Sequence, residues 1–129
     1  MIKESVLPCC GLVADLRLYY RMIMEIDEIL KALADPNRLR ILNLLQGRTL
    51  CVCDLERVLE LNQSNLSRHL AKLRQVKLIA ARKQGLFSYY SRLPIDGPFA
   101  GSLETLLETI SQDPRWEADR VRLLDQECC

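Results

Sequence analysis

The chain is short of histidine, of aromatic side chains and of long apolar runs. One histidine, His69, stands among 129 residues, and aromatic residues make up 5%. A lone imidazole has no second histidine with which to build a metal site. Nothing in the sequence resembles a hydrolase triad, a phosphate-binding glycine loop or a dinucleotide fingerprint. These absences argue against an enzyme. No apolar stretch approaches the roughly 20 residues that a membrane-spanning helix requires. The opening stretch MIKESVLPCCGLVADL carries Lys3 and Glu4 and lacks an uninterrupted apolar segment ahead of a small-residue cleavage site. The expectation is a cytoplasmic protein with no membrane partner.

Negative charge is missing from one part of the chain. The formal net charge is only +1, yet no Asp or Glu occurs between Gln63 and Arg92. That stretch carries Arg68, Lys72, Arg74, Lys77, Arg82, Lys83 and Arg92, while the C-terminal part is acidic. A basic stretch with no carboxylate in it points to contact with a polyanion.

The hydrophobic periodicity divides the chain into short elements. Ile26, Ile29, Leu30 and Leu33 recur at helical spacing. Asp35 followed by Pro36 reads as an N-cap and first helical residue, opening a second helix that Gly47 closes. Leu55, Val58 and Leu59 form the stripe of a third helix from about Val52 to Glu60, with the stretch TLCVCDL at its start. After the turn LNQ, Leu66, Leu70 and Leu73 mark a fourth helix over 63–77. The segment LIAARKQGLFSYYSRL then reads as a β-hairpin around a Gln84-Gly85 turn. A Pro- and Gly-rich loop leads to a helix over 103–110, and Pro114 starts a final helical piece. The fold class is mainly α with a β-hairpin wing.

Two short helices joined by a tight turn, the second exposing polar and basic residues, make a helix-turn-helix. The hairpin would be its wing. Gln63, Ser64, Asn65, Ser67, Arg68 and His69 offer hydrogen-bonding groups to base edges in a major groove about 12 Å wide. Lys72, Arg82 and Lys83 suit phosphate contact, which positions the protein without specifying sequence. The expected partner is double-stranded DNA. A dimer would read an inverted repeat with half-sites about one helical turn, ~34 Å, apart.

Six cysteines fall in three pairs: Cys9 with Cys10, Cys51 with Cys53, and Cys128 with Cys129. In a reducing compartment such pairs indicate metal binding or thiol chemistry rather than a disulfide framework. Thiolates are soft donors that favour thiophilic ions over Mg or Ca, and a helix N-terminus stabilises the thiolate form. Residues i and i+2 of a regular helix lie about 200° apart. Cys51 and Cys53 could therefore hold one ion only if the first turn distorted, which would pull on the helix that supports the recognition helix.

The combination EILKALADPNRLRILNLL, LCVCDL and NQSNLSRHLAKLRQVKLI, followed by a hairpin, resembles the ArsR/SmtB family of metal- and metalloid-responsive repressors, in its arsenic-sensing type. The resemblance covers roughly residues 25–110. It implies a dimeric winged helix-turn-helix over 24–112, with an N-terminal arm over 1–23 and a C-terminal helical tail over 113–129. It also implies a homodimer paired through its N- and C-terminal helices, released from operator DNA when a toxic ion binds. The metal box matches Leu50 to Leu55, but Glu56 stands where arsenic-responsive members commonly carry a third cysteine. As(III) and Sb(III) favour three thiolates, so the resemblance leaves the set to be completed by Cys9 and Cys10, as arm cysteines do in some members, or by Cys128 and Cys129. The arm pair is the favoured source, and a translation start at Met24 would remove it. Sensors of zinc, nickel and cobalt often use histidines on the C-terminal helix, and residues 93–129 contain none. The inducer implied is As(III) or Sb(III), with Cd(II) or Pb(II) as the alternative. A repressor switched by thiol oxidation is a nearer rival than a thiol oxidoreductase, which would need a general base beside Cys51 or Cys53.

Overall fold

The structure is a computed structural model, and it describes residues 26–125. Helix α1 (26–33) buries Ala32 and Leu33, with Ile26 and Ile29 packed at the edge of the core. Asp35 ends it and caps α2 (Pro36–Leu44): its Oδ1 accepts from the backbone N–H of Asn37 at 2.8 Å and of Arg38 at 3.3 Å. Pro36 fills the first helical position, where its missing N–H costs nothing. Gly47, at φ +71°, turns the chain after α2.

One residue later comes a three-residue strand, β1 (Thr49–Cys51), and α3 (Val52–Leu59) starts directly from its end. The helix starts at Val52 as expected, but Cys51, its N-cap, also ends a strand, which corrects the expectation that the two cysteines share a helical turn. Three residues are too few to display an alternating pattern, and β1 exists because it pairs with a strand about 40 residues later in the chain. Glu60, in the left-handed region at φ 57°, closes α3. Asn62 then caps α4 (Gln63–Gln75), its Oδ1 accepting from the Asn65 N–H at 2.8 Å. Lys77 at φ 60° turns the chain out of α4 two residues earlier than the periodicity suggested.

Strands β2 (Ile79–Gln84) and β3 (Phe87–Arg92) form the hairpin, with Gln84 opposite Phe87. The turn is therefore Gly85–Leu86, one residue later than expected, with Gly85 at φ +64°. The sheet order is β1-β3-β2, all antiparallel. Helix α5 (Ala100–Ser111) takes in residues expected in the preceding loop. A 3₁₀ turn (Pro114–Trp116), capped by Asp113, leads into α6 (Glu117–Asp125).

One core joins these elements. Ile41, Leu42, Leu44 and Leu45 meet Leu55, Val58 and Leu59 of α3 and Leu66, Leu70 and Leu73 of α4; Leu103, Leu107 and Leu123 add α5 and α6. The two helices of the helix-turn-helix thus share buried side chains, so a displacement of α3 is transmitted to α4 through close packing. Cys9, Cys10, Cys128 and Cys129 lie outside the described residues, as do the arm over 1–23 and the last four residues of the tail.

Candidate nucleic-acid interface and thiol site

Helix α4 buries its leucine stripe and turns the opposite face to solvent. Gln63, Ser64, Ser67 and Arg68 are exposed and Asn65 is half-buried. The Arg68 guanidinium donates to the Asn65 side-chain oxygen, which orients both at the N-terminal half of the helix. These five form a polar row on the outward side of the N-terminal half of α4. Arg82 and Lys83 are exposed on β2, opposite Tyr89 and Ser88, next to a tip whose Leu86 is 94% exposed.

Two further candidates from the sequence point elsewhere. His69 turns back toward the cap of α2, its Nδ1 3.9 Å from Asp35 Oδ1 and its side chain only 16% exposed. Lys72 lies against α1, with Nζ 3.2 Å from Glu28 Oε2. A phosphate contact by Lys72 would replace that ion pair.

The thiol site lies where β1 becomes α3. Cys51 ends the strand, pairs with Tyr89 of β3, and is buried. It is also the N-cap residue, with extended φ −80° and ψ 162°. Cys53 is the second residue of α3 and is half-buried. Because Cys51 is outside the helix, the 200° separation of two residues within a helical turn does not govern this pair. Joint capture of an ion would act on the strand–helix junction instead of fraying the first turn. Both sulfurs are disulfide-bonded in the structure, so soft-ion capture requires the reduced form.

Behind Cys51 stands a group of polar contacts that the periodicity did not mark. Its Sγ lies 3.4 Å from Oδ2 of Asp54, a buried carboxylate. Asp54 Oδ1 accepts from Arg57 Nη2 at 3.3 Å, and Arg57 Nη1 donates to the Arg122 carbonyl of α6 at 2.8 Å. Arg122 in turn reaches Glu60 at 3.1 Å and Asp119 at 3.3 Å. Asp119, fully buried, accepts two hydrogen bonds from Arg40 of α2, at 2.7 and 2.8 Å. The Asp119 carboxylate holds the Arg40 guanidinium pKa above its ordinary value, although burial opposes this. A buried acid spaced on an otherwise apolar helix face was the only available sign in the sequence, and long-range pairing with Arg40 was invisible there.

Among the described residues no three His, Cys, Asp or Glu side chains converge as a metal site. The two box cysteines supply soft donors, and a third would have to come from outside residues 26–125. No described helix is long and apolar enough to cross a membrane.

The helix-turn-helix core, residues 35–81, matches the family model described as "Bacterial regulatory protein, arsR family". The arsenic resistance transcriptional regulator ArsR1 of Pseudomonas putida is 36% identical over 102 residues, 74% of this chain and 79% of that protein. The chain belongs to the arsR family. Members of this family are DNA-binding transcriptional regulators with the winged helix-turn-helix fold seen here. Reduced HlyU from Vibrio cholerae superposes with a TM-score of 0.61 at 31% identity, covering 75% of this chain and 99% of that one. A homodimeric winged helix-turn-helix DNA-binding domain from Mycobacterium bovis superposes with a TM-score of 0.59 at 27% identity, covering 72% of this chain and 83% of that one.

Proposed function

We propose that this arsR-family repressor is metalloid-responsive: a homodimer binds an inverted-repeat operator and is released when As(III) or Sb(III) engages Cys51 and Cys53. The observation that carries the reading is the position of the two sulfurs, at the junction of β1 with the helix that packs beneath α4. As(III) and Sb(III) are soft, thiol-seeking centres, and this donor pair suits them. The arsenic-resistance name of the Pseudomonas putida relative supports the same inducer.

Each element then has a task. Gln63, Ser64, Asn65, Ser67 and Arg68 face base edges; Arg82 and Lys83 hold phosphate beside the wing. Leu30 of α1, 50% exposed, and Leu106 of α5, 43% exposed, are apolar surface that pairing through the terminal helices would cover. Movement of the β1–α3 junction passes through Leu55 and Leu59 to Leu66 and Leu70, tilting α4 in its groove. None of these tasks is catalytic, and the site needs no organic cofactor. Working in the reducing cytoplasm keeps the thiols available.

The test is fluorescence-anisotropy titration of the protein's own promoter DNA under strict reduction, with arsenite, antimonite, Cd(II), Pb(II) and Zn(II) in parallel. Release by arsenite and antimonite, lost in Cys51→Ser, is the expected result. Release by Cd(II) or Pb(II) alone moves the protein to the divalent sensors. The disulfide-bonded state of Cys51 and Cys53 favours one second reading, a repressor switched by thiol oxidation. Release by oxidant with indifference to every ion would select it.

A further inference from the structure

We infer that the tip of the wing, Leu86 with Phe87 beside it, is an apolar wedge that opens a base step in the minor groove of bound DNA and bends the duplex. This rests on the operator-binding part of the reading above and is independent of the inducer. The hairpin leaves the core early. Leu78 and Ile79 are buried and Ala80 is half-buried, but every residue from Ala81 to Phe87 is exposed. Strand β1 pairs along β3 only as far as Tyr89, so the outer part is a two-stranded ribbon. From Ala81 to Gln84 that ribbon projects about 10 Å. A minor groove is about 7.5 Å deep and about 6 Å wide, so strands about 4.8 Å apart enter it only tip first.

The turn places an apolar side chain at that tip without needing one. Gln84 lies opposite Phe87, which leaves Gly85 and Leu86 as a two-residue loop. Gly85 takes φ +64° while Leu86 stays out of the left-handed region, the pattern of a type II′ turn. Only the first loop position calls for glycine, and the second readily takes the polar residues common in turns. Here it holds a leucine that is 94% exposed, packed against almost nothing among the described residues. Phe87, 46% exposed, extends the apolar surface. Directly behind stand Arg82 and Lys83, and the nearest acids along the chain are Glu60 and Asp96. Cations behind an apolar tip match a groove whose rims are phosphates and whose floor is stacked bases.

A wedge of this kind unstacks one base step, and the cost is offset by burial of the leucine and by the added contacts that bent DNA makes. Pyrimidine–purine steps such as TA and CA open most easily. The wing thereby adds a sequence preference outside the bases that α4 faces, without a hydrogen bond to any base edge.

The experiment uses the full chain, reduced and free of metal or metalloid, on the protein's own promoter DNA. Affinity is read by anisotropy, bending by energy transfer between dyes at the duplex ends, and unstacking by a fluorescent adenine analogue placed at successive steps. The parent should bring the ends closer and brighten the analogue at one step. Leu86→Ser, with its fold checked by circular dichroism, should abolish the brightening, reduce the bend and weaken binding about tenfold. Its salt slope should stay unchanged, unlike that of a lost phosphate contact, and Leu86→Met should restore all three signals. Replacing the brightened step with a stiffer one should weaken the parent and leave Leu86→Ser unaffected. Operator binding by the parent with no bend and no brightening, or a Leu86→Ser variant indistinguishable from it, overturns the inference and leaves the operator reading intact. Loss of self-association in Leu86→Ser with the bend retained assigns the tip to a second copy and also overturns it. Failure of the parent to bind its promoter overturns both.

Discussion

Replacing Asp119 with alanine removes the buried carboxylate that hydrogen-bonds the Arg40 guanidinium. Asp119 is 2% exposed and the Arg40 side chain 20% exposed, with two hydrogen bonds between them. Loss of one partner from a buried pair costs about 3–5 kcal/mol, because an uncompensated charge remains. Arg40 keeps a 3.1 Å hydrogen bond to Asn37 and some access to water, which places the loss near the lower end, about 3 kcal/mol. Against a total stability of about 5–15 kcal/mol this is a large fraction. With a urea slope of about 2 kcal/mol per molar, the unfolding midpoint falls by about 1.5 M. Urea titration followed by circular dichroism measures it under reducing conditions. The paired change Arg40→Met/Asp119→Leu removes both charges and should recover most of the loss, since apolar replacement of a buried pair is often neutral or stabilising. A shift in Asp119→Ala below about 1 kcal/mol would refute the argument that the pair clamps α6 to α2.

The remaining predictions concern the DNA face and the core. Lys83→Ala should weaken binding to every sequence alike and lower the salt slope by about 1, whereas Arg68→Ala should relax preference at one base position; salt titrations on matched and mismatched operators separate them. Glu28→Gln frees Lys72 from its ion pair, so affinity for nonspecific DNA should rise at low salt and the gain should disappear in Glu28→Gln/Lys72→Ala. An unchanged affinity would mean that Lys72 faces no phosphate. Leu66→Ala empties a fully buried position shared by α3 and α4 and should cost about 2–5 kcal/mol, read by thermal or urea unfolding; a cost under about 1 kcal/mol would show that the site collapses freely.

Much of this could be read along the chain because its determinants are local. Asp35 and Pro36 start α2 through bonds to residues two and three positions on. The Leu66, Leu70 and Leu73 stripe is one face of one helix, and a Gly-containing turn between β-prone runs is a hairpin. The same locality made Gln63, Ser64, Ser67 and Arg68 recognisable as an outward row. It failed where a partner lay far away. His69 and Lys72 share that helix's polar character, yet His69 turns toward the α2 cap at Asp35 and Lys72 pairs with Glu28 of α1. Strand β1 has no pattern of its own and is created by Tyr89, Tyr90 and Ser91 across the sheet.

The sequence by itself determined the helix-turn-helix, the wing, the acid-free basic stretch and the presence of soft donors, because capping, periodicity and thiol chemistry need only neighbours. Tertiary structure alone decided that Cys51 ends a strand and does not share a helical turn with Cys53. It alone decided that Asp119 finds Arg40 79 positions away, and that Arg57 of α3 donates to the Arg122 carbonyl of α6. Those outcomes depend on which buried charges and unpaired backbone groups meet when the layers close, and a desolvated carboxylate or an open strand edge is satisfied only by the partner the fold delivers.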